Sequence, residues 1–205
     1  MTITQEGVLR ILRTGASQHV AFEIPTDSFP IRVNGGTFRF VADNIVSGRL
    51  TLSFPPLSPP LPPGVAAEYQ AALRPSGGMS AAGVPYPAVP ANTMRIQRLD
   101  STMDRGYLLH EAVHASLDLN RCSTIRSRYD EASGYITMWL YVLACNAGAR
   151  PDPRVNGDLH LPAWRIARRI RARQATTIAD INVLASAVEA SPIYPTMPAY
   201  YTRDG

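Results

Sequence analysis

His110 and His114 stand four residues apart in the run Leu108-Leu109-His110-Glu111-Ala112-Val113-His114, with Glu111 directly behind the first histidine. On a helix, residues i and i+4 lie one turn apart on one face, so both imidazoles can aim a nitrogen at a single ion. Glu111 falls about 100° further round the helix, close to such an ion without stacking on its ligands. In this arrangement neutral imidazoles hold Zn2+, and the carboxylate takes a proton from a water whose pKa the metal has lowered. From the chain's own His and Glu content, a chance His-Glu-x-x-His has odds of roughly one in five hundred. The competing reading is a core helix whose histidines satisfy nearby polar groups, with Glu111 in a surface pair.

The chemistry needs that helix and a partner. Leu108, Leu109, Val113 and Leu117 form an apolar stripe behind the histidine face, and Ser101 to Asp104 has the S-x-x-D form that caps a helix start, so the spacing predicts a helix from there to about Leu119. Ser123 or Ser127 opens a second helix ending near Asn146-Ala147-Gly148. Pro162 fits the first turn of a third helix reaching Arg173, and Thr176 or Thr177 caps a fourth reaching Ala190. Upstream, a short helix around Gln5 to Arg13 is weakened by Gly7. "HVAFEIP" and "TFRFVADNIVSGRLTLSF" alternate like strands, with a turn at Asp43-Asn44 or Ser47-Gly48. The expectation is a single α+β domain over 1–205: a small, mostly antiparallel sheet within 1–54, a connector over 55–91, a helical metal-binding part over 92–190 and an extended tail over 191–205. The six prolines between Pro55 and Pro63 read as stiff extended chain, a spacer rather than a docking peptide, and a short helix follows over about Val65 to Leu73.

Arg105 to Asp118 resembles the active-site helix of the zincin metallopeptidases. The resemblance covers this helix and, less fully, the next one. It implies a zincin-like fold and zinc-dependent hydrolysis of a peptide bond in a protein or peptide substrate. His110 and His114 would then be ligands, and Glu111 the general base and proton shuttle. A catalytic zinc wants a third protein ligand and one open position. The metzincin extension requires Gly at 117 and His at 120, where this chain has Leu117 and Asn120, and so is excluded. Glu131 is the preferred third ligand. His114 lies about 8 Å before the end of its helix, and Glu131 a similar depth into the next, so an antiparallel pair sets them level. "YDEASGYITMWLY" is similar to the second motif helix of gluzincins, where a glutamate completes the site. Thermolysin-like members carry Asn before that glutamate and Asp four residues after it; here those positions are Asp130 and Tyr135. Asp118 is left to orient an imidazole, and Asp130 and His160 are the reserve ligands. Tyr135 and His160, the latter from a loop, are the candidate donors to a developing oxyanion. Zincins bind substrate as a strand added to a sheet edge, and the N-terminal strands would supply that edge.

Composition sets outer limits. An apolar fraction of 45% with 18% charged residues suits a globular core, and the +4 formal charge, carried by arginine with no lysine, is mild for a nucleic-acid binder. Cys122 and Cys145, at opposite ends of a predicted helix, lie beyond disulfide reach and read as free thiols. The N-terminus lacks a basic region followed by an apolar core. The longest apolar run, Tyr135 to Cys145, is short of the roughly twenty residues a membrane span needs. A cytoplasmic protein, or one exported without a conventional signal peptide such as a bacterial effector or toxin peptidase, fits these features. "WRIARRIRAR", from Trp164 to Arg173, carries arginine at 165, 168, 169, 171 and 173 and reads as a solvated face. The alternative function is a non-catalytic module with a structural metal and a partner bound on that face. Oligomeric state is left open.

Overall fold

The computed structural model describes residues 2–71, 88–122, 124–152, 158–194 and 199. Its elements run in the order α1 (Gln5–Arg13), a 3-10 turn (Gly15–His19), β1 (Phe22–Ile24), β2 (Ile31–Val33), α2 (Gly35–Val46), β3 (Thr51–Ser53), β4 (Ala67–Gln70), β5 (Thr93–Ile96), α3 (Thr102–Leu119), α4 (Ser127–Cys145), α5 (His160–Arg171) and α6 (Ile178–Ala190). The class is α+β. β1 and β2 form an antiparallel hairpin; β3, β5 and β4 form a second sheet in that order, β3 parallel and β4 antiparallel to the central β5. Among the described residues no helix is long and apolar enough to cross a membrane.

Three expectations for the first half need correction. Thr37 to Ile45 is helix α2, not strand. Its apolar residues Phe38, Val41, Ala42 and Ile45 are buried at helical spacing, and Asn34 Oδ1 accepts the Gly36 N–H at 2.7 Å while Thr37 Oγ1 accepts the Asn34 N–H at 3.0 Å. The helix ends at the Ser47-Gly48 turn, with Gly48 at φ 78°. The predicted helix over 65–73 is β4 over its described part, because Ala67 to Gln70 pairs along its length with β5; Leu73 lies outside the described residues. β5 itself lies in the region read as helical. The proline-rich segment is irregular, with cis bonds at Pro55-Pro56 and Ser58-Pro59, and it buries Leu57 and Leu61. The buried Arg95 guanidinium donates to Pro59 C=O and pairs with Glu68 at 2.6 Å, tying the segment to the second sheet.

The helical half follows its local signals more closely. Ser101 and Asp104 form the capping box of α3, and Thr177 and Asp180 that of α6. α4 opens at Ser127; the alternative start, Ser123, lies outside the described residues. α3 and α4, of 18 and 19 residues, are buried around most of their circumference, α4 because α3, α5 and α6 all pack on it. They run antiparallel. Gly106 meets Met138 and Val142, His110 meets Gly134 and Glu131, and His114 meets Asp130, so contacts climb one helix as they descend the other. Cys122 and Cys145 are free thiols.

Candidate metal centre

α3 presents His110 and His114 to α4 with ring centroids 4.7 Å apart. Their Nε2 atoms lie 3.2 and 3.6 Å from one atom, Oε2 of Glu131, one helix over. All three side chains are buried. The antiparallel register sets Glu131 level with the histidines as the helix arithmetic requires. The close approach depends on Gly134, whose added Cβ would lie 2.7 Å from His110 Cδ2 and Nε2.

His114 is held from behind. Its Nδ1 sits 2.7 Å from Oδ1 of the fully buried Asp130, which keeps the proton on Nδ1 and directs Nε2 into the site. This is the orienting role assigned from sequence to Asp118. The structure puts Asp118 Oδ2 2.6 Å from the Tyr69 hydroxyl instead, joining α3 to β4. Burial opposes charge on His114, but Asp130 and Glu131 outweigh it and lift its pKa well above the ordinary range. Burial likewise disfavours the charged form of Glu131, yet the two imidazoles pull its pKa well below the usual carboxylate value. Both shifts favour the charged forms, so the two side chains stabilise each other electrostatically.

Glu111 is set apart from this pair. Its Oε2 accepts the backbone N–H of Tyr69 at 2.8 Å. Tyr69 lies on β4, the outer strand of its sheet among the described residues and beside α3, and that N–H faces the helix while β5 occupies the strand's other side. Burial raises the Glu111 pKa above the ordinary carboxylate value, with the imidazoles opposing the shift. His110, Glu111 and His114 offer ligand atoms all within 4.8 Å of one another, a group that could hold a metal ion. Glu131 Oε2 stands 3.2 and 3.6 Å from the two Nε2 atoms as well, while Glu111 is tethered to the strand.

Tyr135 lies one turn beyond Glu131, its ring edge-on to His110 at 4.8 Å and its hydroxyl 3.2 Å from that of Tyr194. Burial pushes its pKa above the usual phenol range. His160 is not in a loop: it begins α5, buried among Tyr107, Tyr135 and Trp139, with Nε2 3.2 Å from the Tyr107 hydroxyl. Burial, with His110 adding, lowers its pKa to about 4, so it is neutral near pH 7. Reading the sequence assigns no part to Tyr69 or Gly134, and it holds Asp130 as a reserve ligand rather than as the partner of a histidine; the C-terminal segment around Tyr194 reads as packing on the body, with a plug across the cleft as the alternative.

The arginines of α5 are partly spent within the fold. Arg169 pairs with Asp180 at 2.7 Å, Arg171 donates to Leu143 C=O, and Arg168 lies over the Trp164 ring. Comparison of the chain with protein-family models, curated proteins and solved structures returns no match.

Proposed function

We propose that the chain is a zinc-dependent peptidase with a zincin-like active site, in which His110, His114 and Glu131 bind the metal and Glu111 is the general base. The observation that supports this best is the convergence of both Nε2 atoms on Glu131 Oε2, with Asp130 fixing one ring and Glu111 held separately on Tyr69. A zinc ion held by this set supplies Lewis acidity, polarising a carbonyl and lowering the pKa of water toward neutrality. The Tyr69 N–H takes up Glu111 Oε2, so Oε1 would be the proton acceptor; the raised pKa suits a group that accepts a proton from water and returns it to the leaving amine. Tyr135, with His160 packed behind its ring, would serve as oxyanion donor by turning its one hydroxyl proton from the Tyr194 oxygen to the developing charge.

The test is metal analysis joined to proteolysis. The purified chain should carry close to one zinc and cleave a protein substrate, and a chelator should abolish cleavage until zinc is restored. Asp130→Asn, which keeps the side chain's shape but loosens its grip on the His114 Nδ1–H, is expected to weaken zinc binding about 10–100-fold in chelator competition. A stoichiometric metal with no cleavage of any substrate, and no effect of Glu111 substitution, would favour the non-catalytic module.

A further inference from the structure

The chain returns to the metal centre after α6. Tyr194, in a turn closed by its own N–H on Ser191 C=O at 3.0 Å, places its phenol oxygen 2.7 Å from Glu131 Oε2. This is the oxygen that also faces both imidazoles. Further along, Ala199 C=O accepts the N–H of Ser127, the first residue of α4, at 3.0 Å. Ser127 and Glu131 lie about one turn apart, so the C-terminal segment grips α4 at successive turns and one grip is on the metal-site carboxylate.

The direction of the hydrogen bonds follows from proton count. An ionised carboxylate only accepts, so Tyr194 donates to Glu131; its single proton is then committed, and Tyr135, 3.2 Å away, must donate to the Tyr194 oxygen. A relay runs from Tyr135 to Tyr194 to Glu131. Each carboxylate oxygen has two lone pairs, so Oε2 can keep the phenol and still offer a pair to a cation. A glutamate without that anchor must give up side-chain freedom whenever it ligates.

We propose that Tyr194 is a positioning residue for the metal centre, its hydroxyl fixing the Glu131 carboxylate between the imidazoles so that metal retention depends on the C-terminal segment. The proposal rests on the reading of Glu131 as a ligand.

The experiment is chelator-competition zinc affinity on the full chain for the wild type, Tyr194→Phe, Glu131→Ala and the double variant, with visible spectra of the cobalt-loaded forms. Tyr194→Phe removes one oxygen and keeps the ring. It should weaken zinc about 10–100-fold and alter the cobalt spectrum, and in the Glu131→Ala background it should cost nothing further. Unchanged affinity and spectrum in Tyr194→Phe would overturn the proposal. So would an equal loss with Glu131 absent, since that marks a packing role alone and also covers a Phe variant that misfolds. A wild type that binds no zinc fails differently, because it removes the metal site and this role with it.

Discussion

Replacing Glu111 with Gln is expected to leave one zinc per chain and slow peptide cleavage about 10²–10⁴-fold, the usual contribution of a positioned general base. Gln has the size of Glu and can accept the Tyr69 N–H with its carbonyl oxygen, so the tether between α3 and β4 survives. What it lacks is a second oxygen able to take a proton. The metal should persist because the imidazoles converge on Glu131. Zinc content by elemental analysis and cleavage rate under one set of conditions provide the two readouts. Full metal with turnover reduced about 10²–10⁴-fold supports the assignment; metal lost together with turnover would make Glu111 a ligand, in line with its place within 4.8 Å of the two histidines.

The reach of the sequence differed between the two halves for a physical reason. α3 and α6 carry local instructions, Ser101 with Asp104 and Thr177 with Asp180 at their starts, and an antiparallel pair joined by a short loop has one register, so Glu131 could be placed opposite His114 from rise per residue alone. The first half has short strands of three or four residues, whose identity depends on partners far along the chain. β4 is a strand because β5 lies beside it, and nothing within Ala67 to Gln70 announces that pairing. α2 was legible in principle, since Phe38, Val41, Ala42 and Ile45 follow the helical period, but the alternation in Thr37 to Val41 competes with it. Long-range contacts also explain what was missed around the two histidines. Tyr194 reaches Glu131 across 63 residues and Tyr69 reaches Glu111 across 42, distances over which spacing carries no information.

The glycine between the two motif helices makes the sharpest test of that geometry. Gly-to-Ala inside a helix ordinarily stabilises by about 0.5–1 kcal/mol, since alanine has less backbone freedom to lose. At Gly7 of α1 that gain should appear, because the new Cβ meets only Thr4 Oγ1, at an ordinary 3.4 Å. At Gly134 the sign reverses. There the Cβ would stand 2.7 Å from His110 Cδ2 and Nε2 and 2.8 Å from Cε1, and the ring is flanked by His114 and Tyr135 at 4.7 and 4.8 Å. Overpacking of this kind costs about 1–3 kcal/mol, more than the helix gains, and relief must come from parting α3 from α4 or turning Nε2 away from Glu131. Gly134→Ala is therefore expected to melt below the wild type and to lose zinc affinity by at least about tenfold, with Gly7→Ala melting above it and binding zinc unchanged. Thermal denaturation of the metal-free proteins and chelator competition on the loaded ones separate the two effects. A Gly134→Ala chain that is as stable and as tight for zinc as the wild type would mean that His110 does not lie against α4 at this turn, and the convergence on Glu131 would go with it.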